Sequence, residues 1–172
     1  AEDGSNVYYV GPIAVTADGQ TLVVAPSDKG NGIKLVSLAA GAQYGKTLKT
    51  LQVGSKVSPK TFFDLQRDPF DPAGTTFYAT NIGDAELVEI HAGATQKISR
   101  TLSLAKNPAQ MVFLDATSML VSESDHDAIA VVDRATMTRE HDVAIESGDA
   151  PRGVSPSGLA YDATTQRLYA TL

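Results

Sequence analysis

An all-β fold built from repeated units is what this sequence predicts, and three observations carry the prediction. Four stretches share one pattern of turn, short apolar strand, small polar loop and second apolar strand. The anchor residues of the second strand, Leu22, Phe77, Met119 and Leu168, stand about 55, 42 and 49 residues apart, the spacing of radial or stacked β units. No stretch carries apolar residues at a sustained helical spacing; the best helical candidate, Ala39 to Tyr44, is short and interrupted by Gly41. Together these predict a β-propeller of four-stranded antiparallel blades, with about 3.5 blades in this chain.

The strands follow from β-branched and aromatic runs bounded by Gly, Pro, Asp or Asn. In the first unit (11–54) they are expected at 13–15, 22–25, 33–38 and 47–53. In the second (55–105) they fall near 61–65, or in the later Pro69-Phe70 segment, then at 76–80, 86–90 and 97–102. In the third (106–153) they fall at 109–114, 118–122, 128–133 and 139–145. The fourth unit (154–172) is incomplete, with strands at 158–161 and 167–171. Leu22-Val23-Val24-Ala25 is apolar throughout, as a strand packed on both faces requires, whereas Lys97 to Leu102 alternates, as an outer strand with one wet face does. Asn6 to Val10 reads as an additional strand, either an ordinary edge strand or one that closes a ring as the outer strand of its last blade. An isolated arc of this kind exposes a sheet face and an open edge, so the ring is expected to be completed by missing chain or by association.

Composition narrows the function. Hydrophobic residues make up 42% and charged residues 20%, the balance of a globular domain, and the net charge of −6 disfavours nucleic acid and anionic lipid as partners. There is no cysteine, which removes disulfides, thiolate metal sites and cysteine nucleophiles together. No apolar run approaches the roughly 20 residues of a membrane span. Ala1-Glu2-Asp3-Gly4-Ser5 reads as a mature end left by signal cleavage, which points to a periplasmic, secreted or cell-surface location.

Ser124 to Thr136, with its polar turn, the strand Ala128-Ile129-Ala130-Val131-Val132-Asp133 and the turn that follows, resembles the YVTN-type propeller repeat. Gly148, Ala150-Pro151-Arg152-Gly153, Leu159-Ala160-Tyr161-Asp162 and Arg167-Leu168-Tyr169-Ala170-Thr171 continue the likeness. Ser155-Pro156-Ser157 is an insertion relative to that pattern, and Thr164-Thr165 stands where an Asp-Gly turn is usual. The resemblance is weakest over 55–70. It implies a seven-bladed ring, and relatives that include surface-layer and periplasmic proteins, small-molecule lactonases and, more distantly, amine dehydrogenase large subunits. It carries over no catalytic residue.

Because strands alternate in direction, loops joining strands two and three share a face with those leading from one blade to the next. Asp28, Asn31, Asn81, Asp84, Asn107 and Arg152 lie in such loops and are the candidate ligand-binding residues. Glu123-Ser124-Asp125-His126-Asp127 is the densest group of potential ligands; Glu123, Asp125, Asp127 and His126 would suit calcium through oxygen or a transition metal through the imidazole. Its spacing matches no established metal motif, and the same residue types are ordinary in a turn, where their side chains cap backbone N–H groups. His91 and His141 stand alone and read as surface residues. Asp64, Arg67 and Asp68 read as a bent strand or insertion, lining a pocket or forming a salt-bridged loop, and most of Tyr8, Tyr9, Tyr78, Tyr161 and Tyr169 as packing between blades.

Two functions fit. The first is a non-catalytic binding or scaffold module that engages a protein or a small ligand through the loop face. The second is a lactonase- or dehydrogenase-type enzyme with a metal or cofactor over the central channel.

Overall fold

A computed structural model of the chain describes residues 11–26, 32–54, 61–145 and 155–172. The predicted strand at Asn6 to Val10 and the candidates Asp28, Asn31 and Arg152 lie outside these residues. Strands β1 (Ile13–Val15), β2 (Thr21–Val24), β3 (Gly32–Ser37) and β4 (Thr47–Gln52) form one sheet in chain order. The second sheet holds β5 (Phe62–Arg67), β6 (Thr76–Asn81), β7 (Glu86–His91) and β8 (Lys97–Ser103). The third holds β9 (Pro108–Phe113), β10 (Ser118–Glu123), β11 (Ala128–Asp133) and β12 (Thr138–Ala144), and β13 (Gly158–Asp162) pairs with β14 (Arg167–Thr171). All pairs are antiparallel, and no helix occurs among the described residues. The chain is therefore all-β, with three complete blades and the inner half of a fourth.

Burial follows from the alternation of side chains across each sheet. Val23 and Leu35 pack with Leu65, Phe77 and Val88 between the first two sheets. Tyr78 and Leu87 meet Met111, Met119 and Val121 between the second and third, and Leu120, Ile129 and Val131 meet Leu159 and Leu168 beyond. Outer strand β12 is by contrast exposed along most of its length. Each outer strand also carries one extra residue opposite the same point of strand three, Leu48, Ser99 and Glu140. Such bulges twist an exposed edge away from further pairing.

Between blades, side chains bond to the backbone of the neighbour's inner strand. Asp64 Oδ2 accepts from Met111 N at 3.0 Å, Gln66 Nε2 donates to Met111 O at 2.7 Å, and Thr80 Oγ1 donates to Ala109 O at 2.6 Å. One blade further on, Gln110 Oε1 accepts from Leu159 N at 2.8 Å and Ser122 Oγ donates to Ser157 O at 3.3 Å. The segment read as a bent strand or a salt-bridged loop is the bent strand: Asp64 and Arg67 lie in inner strand β5, which is bulged at Phe63, and Asp68 follows it. Arg67 does not pair with its flanking carboxylates but donates to Val15 O at 3.2 Å, while Asp68 bonds across the joint to Arg134.

The turns between strands one and two each begin with an aspartate that accepts backbone N–H bonds: Asp18 from Gln20, Asp71 from Ala73, Thr75 and Thr76, Asp115 from Thr117 and Ser118, and Asp162 from Thr164 and Thr165. In the second turn Gly74 has φ +61°, and a Cβ there would lie 2.2 Å from Ala17 Cβ, so only glycine lets the first two blades meet at this point.

Partial burial pushes the Asp71 carboxyl up, but the N–H groups of Thr75, Thr76 and Ala73 outweigh it and hold it at about 2, against an ordinary 3.8. Such a depressed group adds stability above its unfolded value, and that stability is lost as pH falls through the folded value. Acid titration of unfolding is therefore expected to show a loss between pH 3.8 and about 2 that Asp71→Asn flattens. An unchanged acid limb in the variant contradicts the assignment.

Candidate functional site

The face that carries the strand 2–3 turns and the interblade loops brings several of the predicted residues together. Asn81, fully buried at the end of β6, ties down its own turn: its Nδ2 donates to Asp84 Oδ2 at 3.1 Å and its Oδ1 accepts from Gly83 N at 3.1 Å. In the third blade the equivalent position is Glu123, also fully buried. Arg139 grips both its oxygens, at 2.9 and 2.8 Å, and Ala105 N donates to Oε1 at 2.6 Å. Glu123 therefore holds the loop between blades against the outer strand β12.

Around this anchor the turn is fastened to the same interblade loop. Asn107 O accepts from both Ser124 N and Ser124 Oγ at 3.1 Å, and Asn107 Nδ2 donates to Asp125 Oδ2. Asp127 Oδ1 accepts from Ser155 N at 3.2 Å, joining the turn to the loop before the fourth blade. His126 Nε2 lies 3.8 Å from Asp142 Oδ2, and Asp142 in turn pairs with Arg139. Asn107, Asp127 and Ser155 all adopt positive φ. Asp127 shares this with Ala85 at the end of the second blade's turn, so the left-handed residue there belongs to the repeated hairpin geometry.

Of the ten predicted residues, Asn81 with Asp84, and Asn107 with Glu123, Asp125, His126 and Asp127, occupy this face, the latter five in one connected cluster. Among the described residues no group of three or more His, Cys, Asp or Glu is arranged to hold a metal ion. Glu123 is turned inward onto Arg139, while Asp125 and His126 point to solvent. The cluster presents a fixed polar surface, with Asp125 and His126 exposed on a turn whose backbone is bonded from both sides.

The opposite face carries a buried polar joint that the sequence does not reveal. Arg134, 5% exposed, pairs with Asp68, donates to Asp115 O and Ala116 O at 2.9 and 2.7 Å, and lies 5.0 to 5.6 Å from the ring centres of Phe70, Tyr78 and Phe113. Beside it buried Glu89 accepts from Arg100 and from Tyr78 Oη at 3.2 Å, and Arg100 donates onward to Ala135 O and Arg134 O. Burial first, and Glu89 second, push the Tyr78 hydroxyl up to about 12. His91, read as a surface residue, is partly exposed and bonds Glu89 Oε1 at 3.0 Å. His141 is exposed on β12. Tyr78 packs between blades as expected, whereas Tyr169 is 56% exposed on β14.

No family model and no curated protein matches this chain. Solved structures do, and they agree on the β-propeller. Hydrazine synthase of Kuenenia stuttgartiensis aligns at 16% identity with a TM-score of 0.67, over 99% of this chain and 45% of that one. A periplasmic gluconolactonase of Pseudomonas aeruginosa aligns at 16% identity and 0.64, over 93% and 42%. The WD40 repeats of RRP9 align at 12% identity and 0.62, over 83% and 41%. The chain spans less than half the length of these structures, and the likeness establishes the fold.

The anchor makes a prediction that separates it from its surroundings. Arg139→Ala strands a fully buried carboxylate and is expected to cost about 3 kcal/mol in chemical denaturation. Asp142→Ala removes only a partly exposed partner of the same arginine and is expected to cost under about 1 kcal/mol. Equal costs contradict the anchoring role of Glu123.

Proposed function

We propose that this chain is a non-catalytic binding or scaffold module of a secreted or periplasmic β-propeller, which engages a protein or small ligand through the face bearing Asn81, Asp84, Asn107 and the Glu123–Asp127 turn. The observation that carries this reading is that the polar groups of the cluster are spent on fixing the loops: Glu123 on Arg139, Asn107 on Asp125 and Asp127 on Ser155. A surface rigid before binding loses little conformational entropy when a partner arrives. The WD40 likeness is consistent with such a role, since propellers of that kind offer the same rigid frame. The intact ring of this reading has seven blades.

A second reading is favoured by the likeness to the periplasmic gluconolactonase: a lactone-hydrolysing propeller whose reaction centre draws on further blades. One fold hosts both functions, so the fold does not choose between them.

The binding reading is tested by placing a photo-reactive residue at His126 and, as a control on the opposite face, at Ala116, both exposed. After illumination in a periplasmic or culture-supernatant extract, a discrete adduct from position 126 and none from 116 is expected. Equal labelling at the two positions, or hydrolysis of gluconolactone by the purified chain, contradicts the reading.

A further inference from the structure

Arg134 sits in its joint in the manner of a bound ligand. Its guanidinium lies over three rings, those of Phe113, Phe70 and Tyr78, at distances where each ring face attracts a cation. One terminal nitrogen meets the Asp68 carboxylate, and the other donates to Asp115 O at 2.9 Å and Ala116 O at 2.7 Å. Arg134 and Asp68 are both buried. Arg134 Nε, the atom that ties the guanidinium to its own side chain, is buried and has no hydrogen-bond partner among the described residues. The contacts therefore grip the free end of the group and make no use of its attachment.

The walls are held by bonds that do not involve the arginine side chain. Tyr78 meets Phe113 edge to face at 5.8 Å, and its Oη donates to Glu89 at 3.2 Å. Phe70 N donates to Asp68 Oδ1 at 2.8 Å, and Arg100 holds the backbone beneath by donating to Arg134 O at 2.9 Å and Ala135 O at 2.6 Å. Nor does the repeat call for an ion pair here. Arg134 N and Ala92 N bond alike, to Thr117 O and Thr75 O, and Asp68 N and Thr16 N bond alike, to Thr76 O and Thr21 O. The joint between the first two blades thus carries Thr16 and Ala92 where the next carries Asp68 and Arg134. A joint closes without the pair, and a buried pair often stabilises no more than apolar packing of the same volume.

We infer that the second and third blades together form a binding site for the guanidinium group, which Arg134 fills as a ligand tethered to the chain. The class of ligand is a planar guanidinium. A compact ammonium ion lacks the planar fork that reaches the carboxylate and both carbonyls while lying against the rings. The tether keeps the local concentration of the group high, so that free guanidinium compounds do not displace it from the intact protein. The site is separate from the loop face and does not depend on the binding reading proposed for that face.

Arg134→Ala opens the site, and methylguanidinium is the probe. In this variant, rising methylguanidinium is expected to shift the Tyr78 and Phe113 ring resonances to saturation and to raise the melting temperature. Methylammonium at the same concentration and ionic strength is expected to do neither, and the wild-type protein to respond to neither compound. Asp68→Asn added to Arg134→Ala is expected to weaken methylguanidinium binding about tenfold or more, the worth of a charged hydrogen bond. The wild-type protein supplies an independent readout that needs no variant to fold: the terminal N–H protons of Arg134 are expected as separate, slowly exchanging resonances, because the site stops rotation of the group. A folded Arg134→Ala variant without a saturable shift, an equal shift from methylammonium, binding indifferent to Asp68, or averaged and rapidly exchanging Arg134 protons in the wild type overturns the proposal.

Discussion

The inner strand of every blade is an edge, and the structure depends on how that edge is satisfied. An unpaired edge leaves N–H and C=O groups that must find partners or water. In the third and fourth blades they find side chains of the preceding blade: Asp64 and Gln66 take both backbone groups of Met111, and Gln110 takes the N–H of Leu159. The hydroxyls of Thr80 and Ser122 bond to the carbonyls two residues earlier, of Ala109 and Ser157. These bonds set how closely the blades converge at the centre, and apolar packing then fills the widening space between sheets. Two further locks act at the blade ends, Glu123 with Arg139 on the loop face and Asp68 with Arg134 on the other.

That arrangement leaves the Glu123–Asp127 turn fixed and chemically modest. The buried members of the cluster are structural, and the exposed ones, Asp125 and His126, are carried on a turn held at both ends. Buried polar groups that are fully paired fix a unique geometry, and partly paired ones would cost more than they contribute. The cluster therefore supports the binding reading proposed above, whereas a reaction requires groups that converge on a reacting atom.

Much of the fold was legible in the residues, because strand and turn signals are local. Apolar runs at a recurring spacing and the aspartates at positions 18, 71, 115 and 162 place strands and hairpins without reference to anything distant. The interblade contacts were not legible. Gln66, Thr80 and Gln110 look like ordinary strand residues, and Arg134 meets Asp68 across 66 positions of chain. In the Asp64–Asp68 segment the bent strand was legible but the bonding was not: three charges in a short stretch suggest local pairing, yet each bonds to a different element. Of the candidate site, the Glu123–Asp127 turn was visible as a cluster of ligand-type residues. Its use as a fastening was not, because Arg139 and Asn107 are brought to it by the sheet.

Native-state hydrogen exchange at Met111 and Leu159 tests the edge-satisfaction account most directly. Both amides are expected to be protected although they lie on inner edges, and Asp64→Ala is expected to lower protection at Met111 about tenfold, the worth of one hydrogen bond, while Leu159 is unchanged. Rapid exchange at Met111 in the wild-type protein, or protection there that is indifferent to Asp64, contradicts it.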